Sequence, residues 1–167
     1  MKSRAAIGNH PIHPALVCLP IGAFFLAFLG DVVHAVGGSE FWYLLSYACI
    51  GIGVLVALAA AVFGFIDYFG VRMSRQAGRL ATIHMVLNLT VVALYVVTFL
   101  LRRNEGALNT PRWPLAFILE LVAFGALGVS GWIGGNLSYE HKVGVIEWTD
   151  PEANEIGQRE SRTTRAS

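Results

Sequence analysis

The chain has 167 residues, 55% of them hydrophobic and 14% charged, and its mean hydropathy is +0.59. Soluble domains are about a quarter charged, so an ordinary water-soluble domain is excluded, and at roughly 100–200 residues per domain the length suits one compact unit. With 12 Lys and Arg against 11 Asp and Glu, there is no basic footprint, and nucleic acid is excluded as a partner.

A bilayer core about 30 Å thick needs about 20 apolar residues in helical form. Four runs qualify: 14–36, with Asp31 near its end; 41–68, with Asp67 at its tail; 80–101, without formal charge; and 113–139, which contains Glu120. The connections 37–40, 69–79 and 102–112 are short, so consecutive helices are expected as antiparallel neighbours. The predicted fold is an all-α, integral membrane, antiparallel four-helix bundle over residues 1–149. Lys2 and Arg4 before the first run would also suit a secretory leader, but that run is too long for one and three more spans follow. Residues 150–167 are polar without apolar period and read as a disordered tail.

An even number of spans puts both termini and the 69–79 connection on one side, with Lys2, Arg4, Arg72, Arg75, Arg79 and Lys142. The other side has Arg102, Arg103 and Arg112, all in its second connection. That bias predicts a multi-pass plasma-membrane protein with cytoplasmic termini. Cys18 and Cys49 fall at depths that differ by roughly 10 Å at a rise of 1.5 Å per residue, too far for a disulfide. Both are expected as small buried hydrophobes.

Within lipid, small residues that let backbones approach carry the packing information. Gly125, Gly128, Gly131 and Gly134 recur every three residues in the fourth span, and Gly53, Ala57 and Ala61 every four in the second, followed by Gly64. Both sets are expected to be tight-packing faces.

Ionisable groups inside spans are expensive and point to function. The antiparallel order gathers His10, His13, Asp67, His84, Asn136, Glu140 and His141 at the terminal face, and leaves His34 beside Asp31 at the other. His84, Asn88, Tyr95, Thr98 and Arg102 form one stripe of the third helix, expected to face inward. Gly131, Gly134, Ser138 and His141 share a period that aims His141 inward too. Structural roles compete throughout: Asp31 can pair with His34 one turn on, Asp67 can bond interfacial backbone or pair with Arg72 or Arg75, and Glu120 can pair with Arg112 or Arg102.

Neutral imidazole ligates iron, copper and zinc, and bundle cores build haem sites from histidines on facing helices. His10, His13, His84 and His141 are the candidate metal ligands. His13, His84 and His141, supported by Asn88 and Asp67, are the candidate haem site; His84 with His141 is the favoured axial pair and His13 the substitute. Asn136 and Glu140 could also orient the rings. No Cys-x-x-Cys-His is present, which excludes covalent c-type haem, and no nucleotide-binding or hydrolase motif occurs.

His10-Pro-Ile-His-Pro14, Leu19-Pro-Ile-Gly22, Asp31, Gly64-Phe-Ile-Asp67, His84 with Asn88, and Ser130-Gly-Trp-Ile-Gly-Gly135 through Tyr139-Glu-His-Lys-Val-Gly-Val145 resemble a bacterial family of predicted membrane proteins, domain of unknown function 2231. The likeness spans residues 8–145. It implies a four-helix membrane protein with His10, His13, Asp67, His84 and His141 as motif residues, and no established activity. Relatives joined to a Rieske iron–sulfur unit hint at redox work. Lys142 departs from the glycine that relatives tend to have.

The leading expectation is therefore a membrane protein that holds b-type haem or a transition metal ion for electron transfer with a redox partner protein. The alternatives are a cofactor-free scaffold that forms homo-oligomers, and a proton-coupled small-solute permease that uses Asp31, Glu120 and the histidines. A permease needs a polar path from Glu120 to the terminal face.

Overall fold

The computed structural model describes residues 3–8, 10–103 and 111–145; the 150–167 segment read as a tail lies outside them. A two-residue antiparallel ladder, β1 (Ala6–Ile7) with β2 (His10–Pro11), precedes the helices, with Gly8 in its turn at φ +61°. It is too short to leave an alternating pattern in the sequence.

Five helices follow: α1 (Ile12–Leu16), α2 (Cys18–Gly37), α3 (Glu40–Gly70), α4 (Arg75–Arg102) and α5 (Trp113–Tyr139). α1 and α2 form one span, 12–37, and α3, α4 and α5 are each long and apolar enough to be another. The break at Val17 has a backbone cause. Pro20 offers no N–H to the carbonyl four residues back, so the helix is interrupted there. α2 stops at Gly38, whose φ of +62° lets its N–H cap the His34 carbonyl. α4 begins five residues ahead of its apolar run because Ser74 caps it, its side chain accepting from the Ala77 N–H at 3.2 Å. Pro114 sits in the first turn of α5, where no intrahelical donor is lost.

The spans alternate in direction around a square. α2 packs most heavily on α3 and α4 on α5, with lighter α3–α4 and α2–α5 seams. Phe24, Ala27, Ile50, Val91, Tyr95 and Ala123 form the buried centre. Leu19, Phe25, Leu55, Val62, Ile118 and Val129 are exposed on the outside, where a bilayer accepts them at no hydrophobic cost.

The α1/α2–α3 unit and the α4–α5 unit repeat one another. Ile12-His13, Leu16 and Phe28-Leu29 correspond to Ile83-His84, Leu87 and Phe99-Leu100, 71 residues later, and Leu45 and Gly64 to Leu115 and Gly134, 70 residues later. Equivalent positions meet across the axis of the bundle: Asp31 pairs with Arg102, 71 residues on, and Phe24 stacks on Tyr95. Both contacts join the first unit to the second.

Two packing expectations are corrected. Nothing lies within 4 Å of a Cβ built on Gly125, Gly128 or Gly131, so that run faces outward rather than into the bundle; Gly134, by contrast, packs on His84. The other face behaves as expected, with Gly53 against Phe24 and Gly64 against His13. Cys18 is exposed and Cys49 half-buried; the first turn of α2 is open on its outer side.

Candidate functional site

Polar side chains collect at both ends of the bundle, with the apolar centre between them. At the terminal end, His13 stands in the first turn of α1 and its Nδ1–H donates to the Ala60 carbonyl of α3 at 2.9 Å. A carbonyl can only accept, so Nδ1 carries a proton and Nε2 is the nitrogen whose lone pair a neutral ring presents. His84 does the same from α4: its Nδ1–H donates to the Ser130 carbonyl of α5, also at 2.9 Å. The two bonds span 47 and 46 residues, which makes them copies of one arrangement in the two repeats. Each ring rests on a glycine, with Cβ positions at Gly64 and Gly134 falling 3.0 and 2.9 Å from the Cε1 of His13 and His84. The two imidazoles lie within electrostatic range of each other.

Asn88 braces His84. Its amide donates to the Ser130 hydroxyl at 2.6 Å and to the His84 carbonyl at 2.8 Å, and stands 3.2 Å from His84 Nε2. The 3.2 Å approach is itself a hydrogen-bond distance, so the Nε2 lone pair of His84 faces the Asn88 amide.

The remaining candidates are elsewhere. Both carboxylate oxygens of Asp67 accept from the Ser3 hydroxyl, and Oδ1 also accepts the Arg4 and Ala5 N–H groups. Asp67 therefore bonds backbone, and anchors the segment before β1 rather than a histidine. His10 is exposed in β2. His141 lies beyond the end of α5 at Tyr139, its N–H bonded to the Asn136 carbonyl. The helical period that aimed it inward stops before reaching it. Glu140 is exposed, and the Asn136 carbonyl closes the helix. Among the described residues, no group of three or more His, Cys, Asp or Glu is placed to hold one metal ion, and the four histidines of the terminal face are not gathered around a common point.

The opposite end is drier. Arg102 and Asp31, 1% and 0% exposed, form an ion pair at 2.8 Å. The same Nη1 donates to the Ser46 hydroxyl, Nη2 donates to the Tyr43 carbonyl, and the guanidinium lies 4.3 Å over the Tyr43 ring. The Trp113 indole donates to the second Asp31 oxygen at 3.3 Å. Asp31 is thus paired with Arg102 and not with His34, whose Nδ1–H donates to the Ser39 carbonyl. Glu120 is buried close by, with neither Arg102 nor any other donor on its oxygens. The stripe of α4 behaves as its period predicts, with Tyr95, Thr98 and Arg102 buried inward. What its period could not announce is the partner, since Asp31 was read within its own helix.

Between the two ends, Phe24, Ala27, Ile50, Val91 and Ala123 fill the buried positions. A permease would have to carry its solute past these side chains.

The family described as predicted membrane protein (DUF2231) matches residues 9–147, and the chain belongs to it. No curated protein and no solved structure matches.

Proposed function

We propose that this member of the DUF2231 family binds a b-type haem between His13 and His84 and serves electron transfer in the membrane. A single observation supports this: two imidazoles from equivalent positions of the repeats each commit Nδ1–H to a backbone carbonyl, which leaves Nε2 as the ligand nitrogen, with the Asn88 amide to be turned aside at His84. Histidine ligands have that form, because the carbonyl fixes the tautomer and turns the other nitrogen toward the metal. Two imidazole nitrogens are the axial set of many membrane haems, and haem supplies one-electron chemistry. His13, the substitute on sequence grounds, thereby replaces His141 as the partner of His84. The Lys and Arg bias of the flanks favours the plasma membrane with this end cytoplasmic, where a soluble or membrane redox partner could reach it.

The test is an absorption spectrum and metal analysis of full-length protein, purified in detergent after expression with haem supply. A Soret band that His84→Ala and His13→Ala each abolish is expected. Colourless, metal-free wild-type protein would overturn the proposal.

A second reading, an oligomerising scaffold, is favoured by the outward-facing Gly125, Gly128 and Gly131, since small residues on a lipid-facing surface permit close helix approach. Native mass measurement would decide it: a monomer unaffected by Gly128→Leu sinks this alternative.

A further inference from the structure

The charges at the buried end do not balance. Among the described residues, Arg102 is the cation paired with Asp31, and Glu120, from α5, also lies within hydrogen-bonding reach of Asp31 and electrostatic range of Arg102. Two ionised carboxylates would leave a net negative charge in the bundle interior, and isolated charge there is strongly disfavoured. Both Glu120 oxygens are fully buried with no donor facing them. Two deprotonated carboxylates cannot hydrogen-bond to each other; adding one proton supplies the missing donor and neutralises the site.

We propose that Asp31 and Glu120 share one proton, forming a buried acid–carboxylate pair that is a proton-binding site at the end of the bundle away from the chain termini. Glu120 carries the proton and donates it to Asp31, whose other bonds, to Arg102 and Trp113, keep it the ionised partner. Three further polar atoms of α4 are buried with no hydrogen bond: the Tyr95 hydroxyl, the Thr98 hydroxyl and Arg102 Nε. Tyr95 is within electrostatic range of both carboxyls. Thr98 and Arg102 follow it by three and seven residues on the same helical face, so water has polar partners by which to deliver or remove the proton. The other ionisable groups around the pair are Tyr43 from α3 and His34 from α2, whose ring is 5.5 Å from Tyr43 and 5.2 Å from Trp113; Arg103 and Arg112 lie exposed at the adjoining helix ends. The inference does not depend on haem at the other end.

Infrared difference spectroscopy on the full-length protein in detergent tests it. At neutral pH, wild type should show the carbonyl stretch of one protonated carboxylic acid per chain, shifted in D₂O and lost at alkaline pH. Glu120→Gln, which replaces a neutral acid by a neutral amide, should remove the band and keep the melting temperature. The proposal is overturned if wild type shows no such band, or if the band survives both Glu120→Gln and Asp31→Asn. It is also overturned if sodium, compared with choline at equal ionic strength, raises the melting temperature of wild type but not of Glu120→Gln, since a metal cation would then be the occupant. Should Glu120→Gln fail to fold, the wild-type pH titration and isotope shift decide alone.

Discussion

Phe24 and Tyr95 lie face to face at the centre of the bundle, ring centroids 3.8 Å apart and planes 5° from parallel. They occupy equivalent places in the two repeats, so the stack joins one half of the molecule to the other. Gly53 makes room for it: a Cβ there would stand 2.6 Å from the Phe24 ring. Phe24→Ala should cost about 3–5 kcal/mol, the usual penalty for emptying a buried aromatic site, and Gly53→Ala should also destabilise. Tyr95→Phe should be close to neutral, because its hydroxyl has no partner to lose. Denaturation of the three variants in detergent would check the ranking.

The Asp31–Arg102 pair predicts a non-additive result. Each group is fully buried, so removing one strands the other, at about 3–5 kcal/mol by the general behaviour of such pairs. Asp31→Asn and Arg102→Met should each destabilise strongly, and the double variant should be more stable than their summed effects. A thermodynamic cycle over the four proteins measures the coupling; additivity would mean that the ion pair contributes nothing.

Asp67 predicts a local effect. Its carboxylate accepts from one side-chain hydroxyl and two backbone N–H groups of residues 3–5, and bonds of this charge-assisted kind are worth about 1.5–3 kcal/mol each. Losing them in Asp67→Ala should release that segment without unfolding the bundle. Tryptic cleavage after Arg4, followed by mass spectrometry, should accelerate roughly tenfold or more, since cleavage follows the population of the open segment. Unchanged cleavage would show that the anchor is redundant with the bond from Arg4 Nε to the Gly70 carbonyl.

The bundle was legible because lipid imposes one strong rule, an unbroken apolar run for each span, and the inward stripe of α4 was legible because polar groups avoid lipid. What sequence periodicity lacks is depth and partner. It placed Asp31 with His34, one turn away, when the partner was Arg102 in another helix. It turned Gly125, Gly128 and Gly131 inward, because spacing identifies a face and not the neighbour that the face meets. It ended the fourth span correctly at Tyr139 but carried the inward period two residues further, to His141, where the chain is no longer helical. The repeat was readable in Ile12-His13 against Ile83-His84, Phe28-Leu29 against Phe99-Leu100, and Gly64 against Gly134. The matches are sparse and draw their weight from equivalent contacts in space.

Those two glycines supply the sharpest separation of a ligand site from a structural one. A methyl group at Gly134 would sit 2.9 Å from His84 Cε1, and one at Gly64 3.0 Å from that of His13, so in Gly134→Ala and Gly64→Ala the imidazole must shift by a few tenths of an ångström or more. All polar groups remain present, and the added volume is one methyl, for which overpacking costs about 1–3 kcal/mol. If the rings serve only to tie the helices together, both variants should show a lowered melting temperature and nothing else. If they hold haem, the retained haem should fall and its Soret maximum move. Thr90→Ala is the control, because it deletes a hydroxyl of α4 that bonds that helix's own backbone, at the Val86 carbonyl. Its spectrum should stay close to wild type. Absorbance per mole of protein, read beside a melting curve for each variant, makes the distinction.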